Sequence, residues 1–145
     1  MKNLLIIALI SITTFANAQK LQESAVPAVV KTGFTKAHPK AKDVKWVKEG
    51  NKFEANFDMD KIDYSAVLDE KGNITETETK IPVSQLPKGV AEYVAQHHKG
   101  HKIAEAAKIT DASGNVTYEA EVNKKDLIFD KMGVFIKENK EEKEY

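Results

Sequence analysis

The chain has 145 residues, no cysteine and no arginine, and its 22 lysines balance 22 acidic residues to a formal net charge of zero. That balance gives no broad pull toward nucleic acid or an anionic membrane, and without a guanidinium fork a dedicated phosphate grip is disfavoured. The missing thiol excludes disulfides, a lipid-bearing cysteine and a cysteine nucleophile.

Residues 1–18 read as an export signal. Lys2 supplies a basic start, Leu4 to Ile12 is an apolar run too short to span a bilayer, and Ala16-Asn17-Ala18 is a small-x-small cleavage site. The mature chain is expected to begin at Gln19, and no later stretch approaches the ~20 apolar residues of a membrane span.

A first helix is predicted from Ser24 as N-cap, with Pro27 in its first turn and Val26, Val29, Val30, Phe34 and Ala37 on one face. Pro39 ends it, because the residue before a proline is pushed out of the helical region. Gly33 inside it is a cost of ~1 kcal/mol relative to alanine. Four strands follow, near 42–49, 51–58, 62–69 and 73–80. Phe53, Ala55 and Phe57 alternate with Glu54, Asn56 and Asp58, and Gly50-Asn51 and Gly72-Asn73 mark reversals. Asp58 to Asp63 is rich in carboxylates but lacks the glycine and distant glutamate of a calcium loop, so it reads as a solvated turn.

The scheme then repeats. A second helix starts at Ser84, carries Leu86, Val90, Tyr93 and Val94 on its apolar face, and stops by Gly100. Strands are expected at 102–111, 115–123, 125–130 and 133–138, with Val116, Tyr118, Ala120 and Val122 alternating with polar residues. Ser24-Ala25-Val26-Pro27 matches Ser84-Gln85-Leu86-Pro87 at a shift of 60, and Asp69-Glu70-Lys71-Gly72 matches Asp130-Lys131-Met132-Gly133. One supersecondary unit used in tandem is implied, 19–81 and then 82–141, with 142–145 a frayed tail. Each half alone would bury too little surface, so the halves are expected to share a core or a sheet.

The run Val26-Pro27-Ala28-Val29-Val30, the strands Ala41 to Trp46 and Phe53 to Phe57, and the turn Asp69 to Asn73 before Thr75-Glu76-Thr77-Glu78 resemble the PepSY-like, beta-lactamase-inhibitor-like family of exported bacterial proteins. The second half resembles the same unit through Leu86-Pro87 and Tyr118 to Val122, without the tryptophan. The resemblance implies an α+β fold: a helix packed on a four-stranded antiparallel sheet, in tandem, the two sheets joined into one curved sheet with helices on one face. It supplies no catalytic residues.

The serines at 24, 65, 84 and 113 sit at caps, in a strand or in a turn, none in a nucleophile elbow, and the chain is read as non-catalytic and without a cofactor. His97, His98 and His101 form the sharpest chemical cluster, and a periplasmic metal-binding protein is the alternative reading. Against it, Gly100 breaks the helical spacing, Lys99 adds a positive charge, and His38 and His98 suit matched helix C-termini. Aromatic residues belong mostly beneath the helices, but Trp46 and Tyr64 have ambiguous phase and are candidate anchors on an open sheet face. The sequence thus points to a periplasmic or secreted binding or inhibitory module, a monomer or weak dimer, whose partner is a protein of the envelope or secreted fraction.

Overall fold

The computed structural model describes residues 19–140; the export signal expected over 1–18 and the tail expected over 142–145 lie outside them. Both helices begin one turn later than the serine caps suggest. Val26 precedes a proline, whose ring holds it extended at φ −78° and ψ 129°. The chain therefore makes a single 3-10 turn over Glu23–Ala25 before α1 (Ala28–Ala37) starts behind Pro27. Leu86 before Pro87 is held the same way, with a 3-10 turn over Val83–Gln85 and then α2 (Lys88–His97). Ser24 and Ser84 fall inside the short turns and cap nothing.

This start also selects the buried stripe. Val26, Val30 and Phe34, spaced by four, are buried under α1, as Val90 and Val94 are under α2, whereas Val29 is 51% exposed. Each helix ends on a histidine: the His38 N–H donates to the Phe34 carbonyl and the His98 N–H to the Val94 carbonyl, both at 2.8 Å.

The strands form one sheet of nine, in sequence order and all antiparallel: β1 (Gln19–Leu21), β2 (Lys42–Glu49), β3 (Lys52–Met59), β4 (Ile62–Leu68), β5 (Ile74–Lys80), β6 (Ile103–Asp111), β7 (Val116–Val122), β8 (Lys125–Asp130) and β9 (Phe135–Lys140). The expected eight become nine because Gln19–Leu21 pairs with the edge of β2, Leu21 opposite Trp46. Three residues are too few to show alternation. Although α2 lies between β5 and β6 in the chain, these strands pair directly, Glu76 opposite Asp111 through Lys80 opposite Ala107. That ladder joins the halves.

Turn chemistry fixes the register. Asp60 and Lys61 (φ 53° and 66°) and Asn123 and Lys124 (φ 53° and 59°) make two-residue turns with both residues left-handed, whose twist suits a hairpin. Three other hairpins share one device: Asp69, Asp111 and Asp130 each accept two backbone N–H groups through Oδ1, at 2.8 to 2.9 Å, from the residues two and four ahead. In the first two, the Asn73 and Asn115 side chains also donate to the other carboxylate oxygen. Asn73-Ile74-Thr75 and Asn115-Val116-Thr117 match the glycosylation pattern, and both asparagines are thereby engaged within their own turns.

Gly33 has a positive reason to be in α1. A Cβ on it would collide with the Gly72 carbonyl, and one on Gly72 (φ 80°) would collide with the Val29 carbonyl, so the helix lies directly on the β4–β5 turn. Gly89 and Gly133 make the matching contact for α2.

One row of paired residues shows that both helices cover the same face. Phe57, Tyr64, Thr79, Lys108, Tyr118 and Phe129 lie opposite one another in turn from β3 to β8. Paired residues point to one side. Phe57 belongs to the cluster beneath α1 with Phe53, Ala55, Ala66 and Leu68, and Phe129 to the cluster beneath α2 with Ala120, Val122 and Leu127. Among the described residues no helix is long and apolar enough to cross a membrane.

Candidate binding face

The alternate rows make the face that neither helix covers. Asn56, Ser65, Glu78, Ile109, Thr117 and Asp130 form one row, and Lys80, Ala107, Glu119, Ile128 and Lys137 the next. The face is not evenly wet, since Val47, Ala107 and Ile128 on it are buried, Ile128 to 7% exposure. That face carries a hollow of 190 Å³ bordered by Asn56, Tyr64, Ser65, Glu78, Lys80, Glu105, Glu119 and Glu121.

The hollow is acidic in an unusual register. Glu76 faces Asp111, Glu105 faces Glu121, and Glu121 faces Asp126 directly across the strands, pairings that destabilise a sheet. Burial, reinforced by Glu54, Glu76 and Asp126, pushes the Glu78 carboxyl up to about 7. Burial, with Glu78, Asp126, Glu76 and Glu121, pushes Glu119 up to about 8. Glu76 is raised as well, again by burial, with Lys52 and Lys137 opposing the shift. At the border of the hollow Lys80 is held by Glu105 at 2.9 Å and reaches Asp63 at 3.8 Å.

Of the residues singled out from sequence, Tyr64 borders the hollow while its ring lies on the covered face, and the others lie elsewhere. Trp46 is 5% exposed in the core beneath α1, edge-on to Phe34 with ring centroids 5.2 Å apart. Tyr64 is half-buried on the covered face and stacks on Phe57 at 5.5 Å. Their phase follows from pairing, since Trp46 lies opposite Ala55 and Tyr64 opposite Phe57, both core residues. His97 stacks on Tyr93 at 4.3 Å while the His98 carbonyl accepts the His101 N–H, and among the described residues no group of three or more His, Asp or Glu side chains is placed to hold a metal ion. His38 packs against Phe34 and Phe57, its Nε2 has no hydrogen-bond partner, and desolvation lowers its pKa.

Glu78 and Glu119 escape sequence reasoning because alternation alone marks them as solvated. The available signal is the wet-phase valines and isoleucines, Val67, Ile109 and Ile128, interleaved with them.

No curated protein matches the chain. Among solved structures it is similar to a DUF2874 family protein from Bacteroides uniformis (TM-score 0.68, 19% identity, covering 78% of this chain and 88% of that one). A "putative periplasmic" protein from Bacteroides eggerthii gives a TM-score of 0.70 at 15% identity over 79% and 88% of the two chains. A BLIP-like protein from Bacteroides fragilis gives 0.62 at 18% identity over 78% and 84%. At these identities the likeness is one of fold. The family model described as "Putative beta-lactamase-inhibitor-like, PepSY-like" matches residues 13–75 and 51–137, and the chain belongs to that PepSY-like family.

Proposed function

We propose that this chain is an exported, non-catalytic binding module that engages a protein partner through the uncovered face of its sheet, as an inhibitor or an adaptor. The observation that carries the reading is the asymmetry of the sheet: both helices cover one side, while the other keeps a hollow of half-buried carboxylates against apolar side chains. Half-desolvated polar groups beside buried apolar ones are what a partner's surface completes. The family's inhibitor-like description and the periplasmic description of a neighbour support the same reading, as does the apolar leader with its cleavage site. The two halves are read as one helix-and-strands unit used twice, which widens the sheet into a single continuous docking surface.

Photo-crosslinking tests this reading. A crosslinking amino acid placed at Val67, on the uncovered face, or at Lys108, on the covered one, is exposed to the envelope and secreted fractions of the source cell. A discrete protein adduct is expected from position 67 and not from 108. Adducts from 108 alone, or from neither, overturn the assignment of the face.

A further inference from the structure

We propose that the uncovered face seats a lysine or arginine side chain of its protein partner between Glu78 and Glu119; this rests on the binding-module reading above. Glu78 on β5 and Glu119 on β7 flank β6, whose Ile109 lies opposite Glu78 and whose Ala107 lies opposite Glu119. Two carboxyl walls over a small apolar floor fit a side chain with an aliphatic stem and a cationic head. The same floor is unsuited to a hard divalent cation, which asks for a shell of six or more oxygens.

The groups facing the two glutamates carry the sign of the charge. Glu54 on β3, Glu76 on β5 and Asp126 on β8 act on Glu78, and Glu76, Glu78, Glu121 and Asp126 act on Glu119. Lys52 and Lys137 act on Glu76. The charged neighbours with the largest effect on the pair are carboxylates. The same face shows how a cation sits on it: the ammonium of Lys80, whose strand position is opposite Ala107, lies 2.9 Å from Glu105 and 3.8 Å from Asp63. An incoming ammonium or guanidinium would give Glu78 and Glu119 what Lys80 gives those two. Because both carboxyls hold their protons near neutrality, seating a cation releases protons.

The test is calorimetric titration of the mature chain, residues 19–145, with a tetra-arginine peptide at pH 7 and low salt, against a tetra-citrulline peptide of the same shape, in two buffers of different ionisation enthalpy. The arginine peptide is expected to bind with net proton release, and the citrulline peptide to give no heat of binding. Glu78→Gln with Glu119→Gln, which preserves shape, is expected to weaken arginine binding at least tenfold and to abolish the proton release. Binding unchanged in that variant, equal binding of both peptides, or no binding to the folded wild type overturns the cation seat. If the adduct at position 67 still forms in any of these cases, the binding module stands without it; if that adduct is also absent, both readings fall.

Discussion

Residues one apart on β7 meet opposite demands: Ala120 is fully buried under α2, while Glu119 and Glu121 on either side of it point into the hollow. The covered face follows the ordinary logic of a core, and no polar or charged residue is buried among the described residues. The uncovered face departs from it, with half-buried carboxyls set against Ala107 and Ile128 and like charges directly opposed. Sheets are stabilised by complementary cross-strand pairs, so this face holds an arrangement that stability alone would remove. These opposed like charges put a cost to folding on the uncovered face.

Substitutions should behave oppositely on the two faces. The largest effect is expected beneath the helices, where Phe129→Ala leaves a void in a fully buried site and lowers stability by about 3–5 kcal/mol. Urea unfolding would show this as a lower midpoint at unchanged m-value. A near-wild-type midpoint would mean that the α2 cluster is not a packed core.

Next comes a matched pair of glycines. Gly72 and Gly114 occupy equivalent turns at φ 80° and 82°, but only Gly72 lies against a helix; a Cβ on Gly114 meets nothing within 4 Å. Gly114→Ala should cost about 1–2 kcal/mol, the left-handed penalty alone. Gly72→Ala should add about 1–3 kcal/mol for displacing α1. Equal losses would show that the close approach of α1 to the β4–β5 turn is not needed for stability.

On the uncovered face the sign reverses. The folded-state pKa values of Glu78 and Glu119 lie above the ordinary carboxylate value of 4.5, so the folded state holds their protons more tightly than the unfolded state does. Their contribution is fully present below 4.5 and is lost as pH rises through about 7 and 8. Glu78→Gln with Glu119→Gln should therefore leave stability unchanged at pH 4 and raise it by up to several kcal/mol at pH 8. His38, whose pKa is lowered, has the opposite sign: its stabilisation is present above 6.5 and lost on acidification. It is common to both proteins and cancels in the difference. Identical pH profiles for the two proteins would mean that the hollow is as wet as ordinary surface.

This contrast also explains what could be read in the sequence. Prolines at 27 and 87, the Asp-x-x-Gly turns and the alternation around Phe53 and Tyr118 are local signals, and they locate the helices and most of the strands. The later helix start was equally local, since Val26 and Leu86 both precede proline. What local signals leave out is set by pairing between distant segments. Trp46 sits beside the register shift between Lys42 and Lys45, so its phase is fixed by Ala55 on the next strand. Glu78 and Glu119 sit in tidy polar phases, and their burial depends on neighbours from other strands around the hollow. The candidate site was invisible for the same reason. An exposed anchor is sought among tryptophans and tyrosines, whereas this face offers carboxylates, and Trp46 is core.

The smallest effect sharpens the comparison within the uncovered face itself. Lys80→Ala removes the cation held by Glu105 and Asp63, but the lysine side chain is 47% exposed and the pair sits in solvent, so stability should fall by at most about 1 kcal/mol. The largest charge effects on Glu78 and Glu119 come from other carboxylates, so the titration of those two, followed by carbon-detected NMR of the side-chain carboxyls, should move little. A clear upward shift of either carboxyl would show that Lys80 already serves as their counter-ion. The hollow would then be a single self-neutralised network, with no separate place for a partner's cation.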